Sequence, residues 1–147
     1  MKYRVVLFLV VFFISFAGCR KDKEQQVPYY YVNFKISLSW PQYSMLKVPG
    51  NYAVITNDII GDNQTPHGII LYRLNEYEFY AYDRTCTYKV QENCAVSIDP
   101  DNIFTRCGCC NSRFFLMNGD PTDEGPATVP LKQYRVSVSG QDITVSN

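Results

Sequence analysis

Val32, Phe34, Ile36 and Leu38 alternate with Asn33, Lys35 and Ser37, and this period of two puts the apolar side chains on one face of a half-buried strand. Alternation, or a short apolar run between turn residues, predicts further strands over 52–56, 68–74, 79–83, 103–106, 113–117, 134–139 and 142–146. The intervals hold Pro49-Gly50-Asn51, Gly61-Asp62-Asn63, Asn118-Gly119-Asp120-Pro121 and Ser139-Gly140-Gln141-Asp142, residues that preset a turn or tolerate positive φ. The last pair of strands reads as a hairpin. Apolar residues nowhere recur at helical spacing over three turns, and no internal repeat is visible. The pattern therefore predicts an all-β domain, a small sandwich or barrel. Tyr29, Tyr30 and Tyr31 are expected to lie buried under the first strand, and Trp40-Pro41 to cap its end.

The N-terminus follows a different pattern. A short basic start, Met1-Lys2-Tyr3-Arg4, precedes an unbroken apolar run over 5–14 and then Ser15-Phe16-Ala17-Gly18-Cys19. Such an order describes a secretory signal, and the run is too short for a bilayer span, which needs roughly 20 apolar residues. Phe16-Ala17-Gly18-Cys19 resembles a bacterial lipobox. The resemblance implies a signal peptide over 1–18, a lipid-modified Cys19, and a charged tether over 19–27 leading to a domain over 28–147. The membrane would be a partner through that lipid, and the bacterial cell envelope the location, at the outer membrane or periplasmic face. Removing 1–18 takes away Lys2 and Arg4 but no acid, which leaves 12 basic against 14 acidic residues. No basic stripe remains, so nucleic acid is not expected as a partner. About 130 residues suffice for one domain with its own core.

Five further cysteines, Cys86, Cys94, Cys107, Cys109 and Cys110, fall within 25 residues of one another. Export makes disulfides the first expectation, but an odd number leaves one thiol over. Cys109 and Cys110 are adjacent and would strain a bond between themselves. Cys107-Gly108-Cys109-Cys110 contains C-x2-C, a spacing at which two thiolates converge on one ion while glycine frees the turn. A second limb would come from Cys86 with Cys94 or Tyr88, although C-x7-C is wider than zinc ribbons use. No other chemistry stands out: Asp99, Asp101, Asp120, Asp123 and Glu124 read as solvated loop carboxylates, and Ser112 and Ser137 have no His–Asp pair to serve.

Tyr82-Asp83-Arg84-Thr85-Cys86-Thr87-Tyr88, then Cys107-Gly108-Cys109-Cys110-Asn111-Ser112-Arg113-Phe114, then Gly119, Gly125-Pro126-Ala127, Pro130-Leu131 and Tyr134, resemble a Rieske iron–sulfur domain. That family carries C-x-H in its first cluster loop and C-x-C-H-G-S-x-F in its second, followed by G-P-A-x-x-P-L-x-x-Y, whose proline loop shields the cluster. The resemblance runs over 28–146. It implies a Rieske-like all-β fold with a cysteine-bearing two-loop subdomain over about 84–131, and a divergent lipoprotein of the envelope. Carried over by position, Cys86 and Cys107 fall on the two cysteine ligands, and Tyr88 and Cys110 on the two histidines. Cys109 falls on a cysteine that in many relatives pairs with one in the first loop, for which Cys94 is the available partner.

A Rieske centre needs two imidazoles on one iron. The chain holds one histidine, His67, well before the first loop and expected in a turn, so a cluster with two cysteine and two histidine ligands is excluded. Three arrangements stay open: Cys86, Cys94, Cys107 and Cys110 as four thiolates around zinc, a single iron or a [2Fe–2S] cluster; a Cys94–Cys109 disulfide, leaving Cys86, Cys107 and Cys110 with Tyr88 as a poor fourth ligand; or no metal and two disulfides. The functional expectation is an envelope lipoprotein that binds metal or passes electrons to a protein partner. Its alternative is a non-redox structural or binding module with loops held by disulfides or zinc. No substrate pocket argues for an enzyme.

Overall fold

The computed structural model describes residues 26–61 and 65–147, so the signal peptide, the lipobox Cys19 and nearly all of the tether lie outside the described residues. Among the described residues, nine strands follow in order: β1 (Asn33–Ser37), β2 (Tyr52–Ile55), β3 (Ile69–Arg73), β4 (Phe79–Asp83), β5 (Val96–Ile98), β6 (Phe104–Cys107), β7 (Arg113–Phe115), β8 (Gln133–Ser139) and β9 (Asp142–Ser146). Six make an antiparallel sheet in the order β1-β9-β8-β4-β3-β2, and β5-β6-β7 make a second, smaller one. Among the described residues, no helix is long and apolar enough to cross a membrane.

Alternation fixes the register of the larger sheet. Phe34 and Ile36 of β1 lie opposite Val145 and Ile143 of β9, and all four are buried while their neighbours face solvent. A slip of one residue would turn that apolar set outward, so the pairing is strongly specified. Phe34 and Ile36 at one edge share a core with Ile55 at the other, so the sheet curls around its contents. The 3-10 helix Pro41–Lys47 closes that core with Tyr43 and Leu46, and the helical turn α1 (Asn57–Ile60) adds Ile60.

The central strands β3 and β4 are buried on both faces. Ile69, Leu71, Phe79 and Ala81 point into the curled sheet, whereas Ile70, Tyr72 and Tyr82 point outward into a second core with Val96, Phe114, Leu116, Leu131, Cys86 and Cys107. Fully burying one large apolar side chain contributes about 1.5–3 kcal/mol, so this outer face holds the cysteine-bearing layer firmly against the sheet. Gly119 belongs to the same contact: its φ is +77°, and a Cβ there would meet the Tyr82 ring at 2.8 Å.

The predicted strands are present, 79–83 and 142–146 at their predicted bounds and the others with ends moved by one or two residues. The three-residue strand β5 and the short helical segments carry no period long enough to be predicted. Tyr29 and Tyr31 are 73% and 62% exposed, contrary to their expected burial. Pairing to β9 starts only at Asn33, so these tyrosines precede the sheet, and Tyr29 and Tyr30 rest against the Lys132 ammonium instead, 5.6 Å from each ring. Trp40 stands at the start of the 3-10 helix and is 41% exposed.

Candidate metal centre

Two loops meet, one running from β4 to β5 and the other from β6 to β7. The first leaves β4 at Asp83, a fully buried carboxylate whose Oδ2 accepts the Tyr134 hydroxyl at 2.8 Å and whose Oδ1 accepts the Thr85 N–H at 2.8 Å. Desolvation, and then the Asp83 charge, hold the Tyr134 phenol above its ordinary range. Asp83 thereby fixes the chain's exit three residues before Cys86. The loop closes on itself where the Cys86 N–H donates to the Cys94 carbonyl at 2.8 Å, beside a bridge between Thr85 and Ala95.

The second loop is the turn between β6 and β7. Cys107 ends β6, its N–H donates to Ser112 O and its carbonyl accepts the Asn111 N–H, both at 2.9 Å, with Asn111 at φ +61°. Ser112 is fully buried, and its Oγ accepts the Ala127 N–H at 2.9 Å while lying 3.1 Å from Cys110 Sγ. One hydroxyl therefore links the second loop, a cysteine and the segment Gly125-Pro126-Ala127 that covers them. Gly125 makes this approach possible: with φ +86°, any Cβ would lie 2.5 Å from Ser112 Cα. The cover reaches the first loop too, since the Thr87 hydroxyl donates to Val129 O at 2.6 Å.

A salt-bridge cluster holds β7 to the loops around it. Arg113 Nε donates to Asp99 at 2.8 Å, Nη2 to Asp101 at 2.7 Å and Nη1 to Glu124 at 3.0 Å, with its guanidinium 3.8 Å from the centre of the Phe104 ring. Arg106 adds bonds to Asp99 and Glu124. Asp101 and Glu124 are exposed, as expected of loop carboxylates, whereas Asp99 is largely buried, contrary to that expectation; a multidentate arginine draws the three together. Hydrogen bonds from Arg113 hold the Glu124 carboxyl below its usual range.

Three sulfurs converge at the meeting of the loops. Cys86, Cys107 and Cys110 are free, and their Sγ atoms all lie within 4.8 Å of one another, with Cys86 and Cys110 at 3.6 Å. Cys86 and Cys107 are buried and Cys110 is partly exposed, so the group is open on the Cys110 side. Cys94 and Cys109 are joined in a disulfide that spans 15 residues and ties the first loop to the second. Of the three open arrangements, the geometry is that with the Cys94–Cys109 bond. A set of four thiolates that includes Cys94 is not what the structure holds, because that sulfur is already bonded. The Cys107 sulfur lies within 4.8 Å of both disulfide sulfurs as well.

Burial pushes the Cys86 thiol up, and its contacts with Cys107 and Cys110 add to the rise against a bond from the Tyr88 backbone N–H. Cys110 goes the other way. Burial acts to raise it, but bonds from the Ser112 hydroxyl and backbone, then from Cys107 and Cys86, outweigh that and hold it below the ordinary thiol range. Of Cys86 and Cys110, the thiol held down is the more accessible one.

Tyr88 packs at the edge of the same core. His67 stays apart: its Nε2 lies 3.1 Å from Asn93 Oδ1, and it joins no convergent group of ligand atoms among the described residues. No imidazole reaches the three sulfurs, so a [2Fe–2S] centre with two histidine ligands does not fit. The resemblance includes Asp83, Ser112, Arg113 and Tyr134 among its motif residues but gives none of them a role in the site. Ser112 and Arg113 were visible as the polar pair behind the last cysteine, whereas the Asp83–Tyr134 contact joins residues 51 apart and left no local signal.

No family model matches the chain, and no curated protein matches it. Solved structures do. A chain from the complex of reduced oxygenase and oxidised ferredoxin in carbazole 1,9a-dioxygenase shares 20% identity at a TM-score of 0.49, over 81% of this chain and 94% of that one. The ferredoxin of carbazole 1,9a-dioxygenase from Nocardioides aromaticivorans shares 20% at 0.48, over 80% and 97%. The cyanobacterial plasma membrane Rieske protein from Synechocystis shares 29% at 0.47, over 56% and 81%. The domain's own strands establish an all-β fold with a cysteine-bearing two-loop region.

Proposed function

We propose that this domain binds one thiophilic metal ion through the Cys86, Cys107 and Cys110 thiolates, at the tip of a Rieske-like domain tethered to a bacterial envelope membrane through lipid on Cys19. The observation that carries the reading is the convergence of three unbonded sulfurs within 4.8 Å. Tetrahedral thiolate ligands at about 2.3 Å from an ion stand about 3.8 Å from each other, close to the 3.6 Å between Cys86 and Cys110. With Cys94 bonded elsewhere, three protein ligands leave a fourth position toward the open Cys110 side. Iron bound there would supply one-electron exchange with a protein partner, and zinc a structural cross-link between the loops.

The test is a full-length preparation made without oxygen in detergent, with elemental analysis and a visible spectrum. One ion per chain that is lost in C107S and C110S supports the reading, and absorbance between about 400 and 600 nm would mark it as thiolate-bound iron. A colourless preparation that takes up neither zinc nor iron sinks it. A second reading has one observation in its favour: the Cys94–Cys109 bond already joins the two loops, so a non-redox binding module stapled by that bond needs no metal to hold its shape. Lipid on Cys19 is tested separately, by the membrane release expected of C19S.

A further inference from the structure

The Cys86 and Cys110 sulfurs are 3.6 Å apart with both thiols free. A disulfide needs about 2.05 Å, so an approach of roughly 1.5 Å, within reach of small χ rotations, would join them. Their exposure differs in a useful way. Cys86 is 1% exposed, whereas Cys110 is partly open to solvent on the turn after β6. An incoming reagent meets Cys110 first and finds Cys86 directly behind it. Cys107, also buried, stands within 4.8 Å of each.

We propose that Cys86 and Cys110 form a thiol–disulfide exchange site, whose substrate is a disulfide and whose attacking and resolving thiols are Cys110 and Cys86. Cys110 as thiolate attacks one sulfur of the incoming disulfide, which breaks that S–S bond, leaves a mixed disulfide on Cys110 and expels the first thiolate. Cys86, losing its proton, attacks the Cys110 sulfur and expels the second. Two cysteine thiols are oxidised to one Cys86–Cys110 disulfide, the substrate disulfide is reduced to two thiols, and the two protons leave with those thiols. The oxidised site retains Cys107 alone of the three metal-directed thiols. Metal uptake would then be confined to the reduced site; this consequence rests on the function proposed above, and the exchange chemistry does not.

The full-length chain, stripped of metal with a chelator, is equilibrated with glutathione disulfide, alkylated, unfolded and alkylated again with a second reagent. Fragment ions are read across residues 86–110. The expected result is loss of two thiols, at 86 and 110, with the second reagent found on Cys107. In C86S, which lacks the resolving thiol, Cys110 should stay capped by one glutathione. Because the label positions are read on the unaltered chain, the result does not depend on a variant folding. Three thiols left unoxidised, or an oxidised pair that includes Cys107, would overturn the proposal. Zinc alone is then offered to both forms: uptake by the reduced chain, its loss on oxidation and its return with dithiothreitol are expected. If the disulfide forms but zinc binds neither form, metal binding falls and the exchange site stands. If zinc binds and no Cys86–Cys110 bond forms, the reverse holds.

Discussion

Replacing Ser112 by alanine removes a single oxygen that serves two neighbours. Ser112 is fully buried, so no water replaces the hydroxyl, and the Ala127 N–H that it accepts at 2.9 Å is left without a partner. An orphaned buried donor costs about 1–3 kcal/mol. With a urea slope of about 1–3 kcal/mol/M for a small domain, the unfolding midpoint should fall by about 1 M. A second consequence is independent of stability. The bond from Ser112 is the largest influence holding the Cys110 thiol below its ordinary range, so S112A should raise that pKa and slow alkylation of Cys110 near neutral pH. The rates would converge with those of the parent as the pH rises and both thiols ionise. The assays are urea unfolding followed by far-UV circular dichroism and the pH profile of Cys110 alkylation, read by mass on metal-free protein. An unchanged midpoint together with an unchanged profile would refute the role given to Ser112. A lowered midpoint with an unchanged profile would keep Ser112 as the cover's anchor and remove it from the thiol.

Three further outcomes follow from the same contacts. The double variant C94S/C109S opens a 15-residue loop, worth about 3 kcal/mol in the chain-entropy model, and should lower the urea midpoint accordingly. G125A forces a Cβ to within 2.5 Å of Ser112 Cα at a φ that non-glycine residues resist, so the segment over 125–130 should lift, seen as faster proteolysis there at unchanged β-sheet circular dichroism. Burial holds the Tyr43, Tyr82 and Tyr134 phenols neutral to higher pH in the folded protein than in the unfolded chain. Their contribution is complete below the unfolded value near 10 and is lost as the pH rises above it, so urea midpoints should fall above about pH 10, more shallowly in Y134F.

What the chain discloses about its fold depends on whether burial is local in sequence. β1 and β9 have one buried face each, so their alternation shows directly which residues meet: Phe34 with Val145, Ile36 with Ile143. β3 is buried throughout, and its run Ile69-Ile70-Leu71-Tyr72 reads as a strand without revealing that alternate residues feed two different cores. Tyr29, Tyr30 and Tyr31 misled because an aromatic run has the composition of a core strand, yet its fate depends on where pairing begins. The acidic residues conceal their ion pairs for a related reason. Asp99, Asp101 and Glu124 look like ordinary loop carboxylates until Arg113, up to 14 positions away, is folded between them.

The site was legible only through its motif, and the structure supplies the reason. Cys86 and Cys110 are 24 residues apart and become neighbours by three separate means: the β6–β7 turn that returns the chain, the disulfide between Cys94 and Cys109, and the outer face of β3 and β4 on which both loops rest. None has a period or a spacing that a sequence displays. All three act without a metal. Asp83 sets the first loop's exit, Arg113 fixes β7 and Ser112 pins the cover, so the three sulfurs are brought together by packing, ion pairing and one covalent bond. The same closeness of the three thiols underlies both proposals, metal uptake and thiol–disulfide exchange, and the partly exposed Cys110 takes part in both.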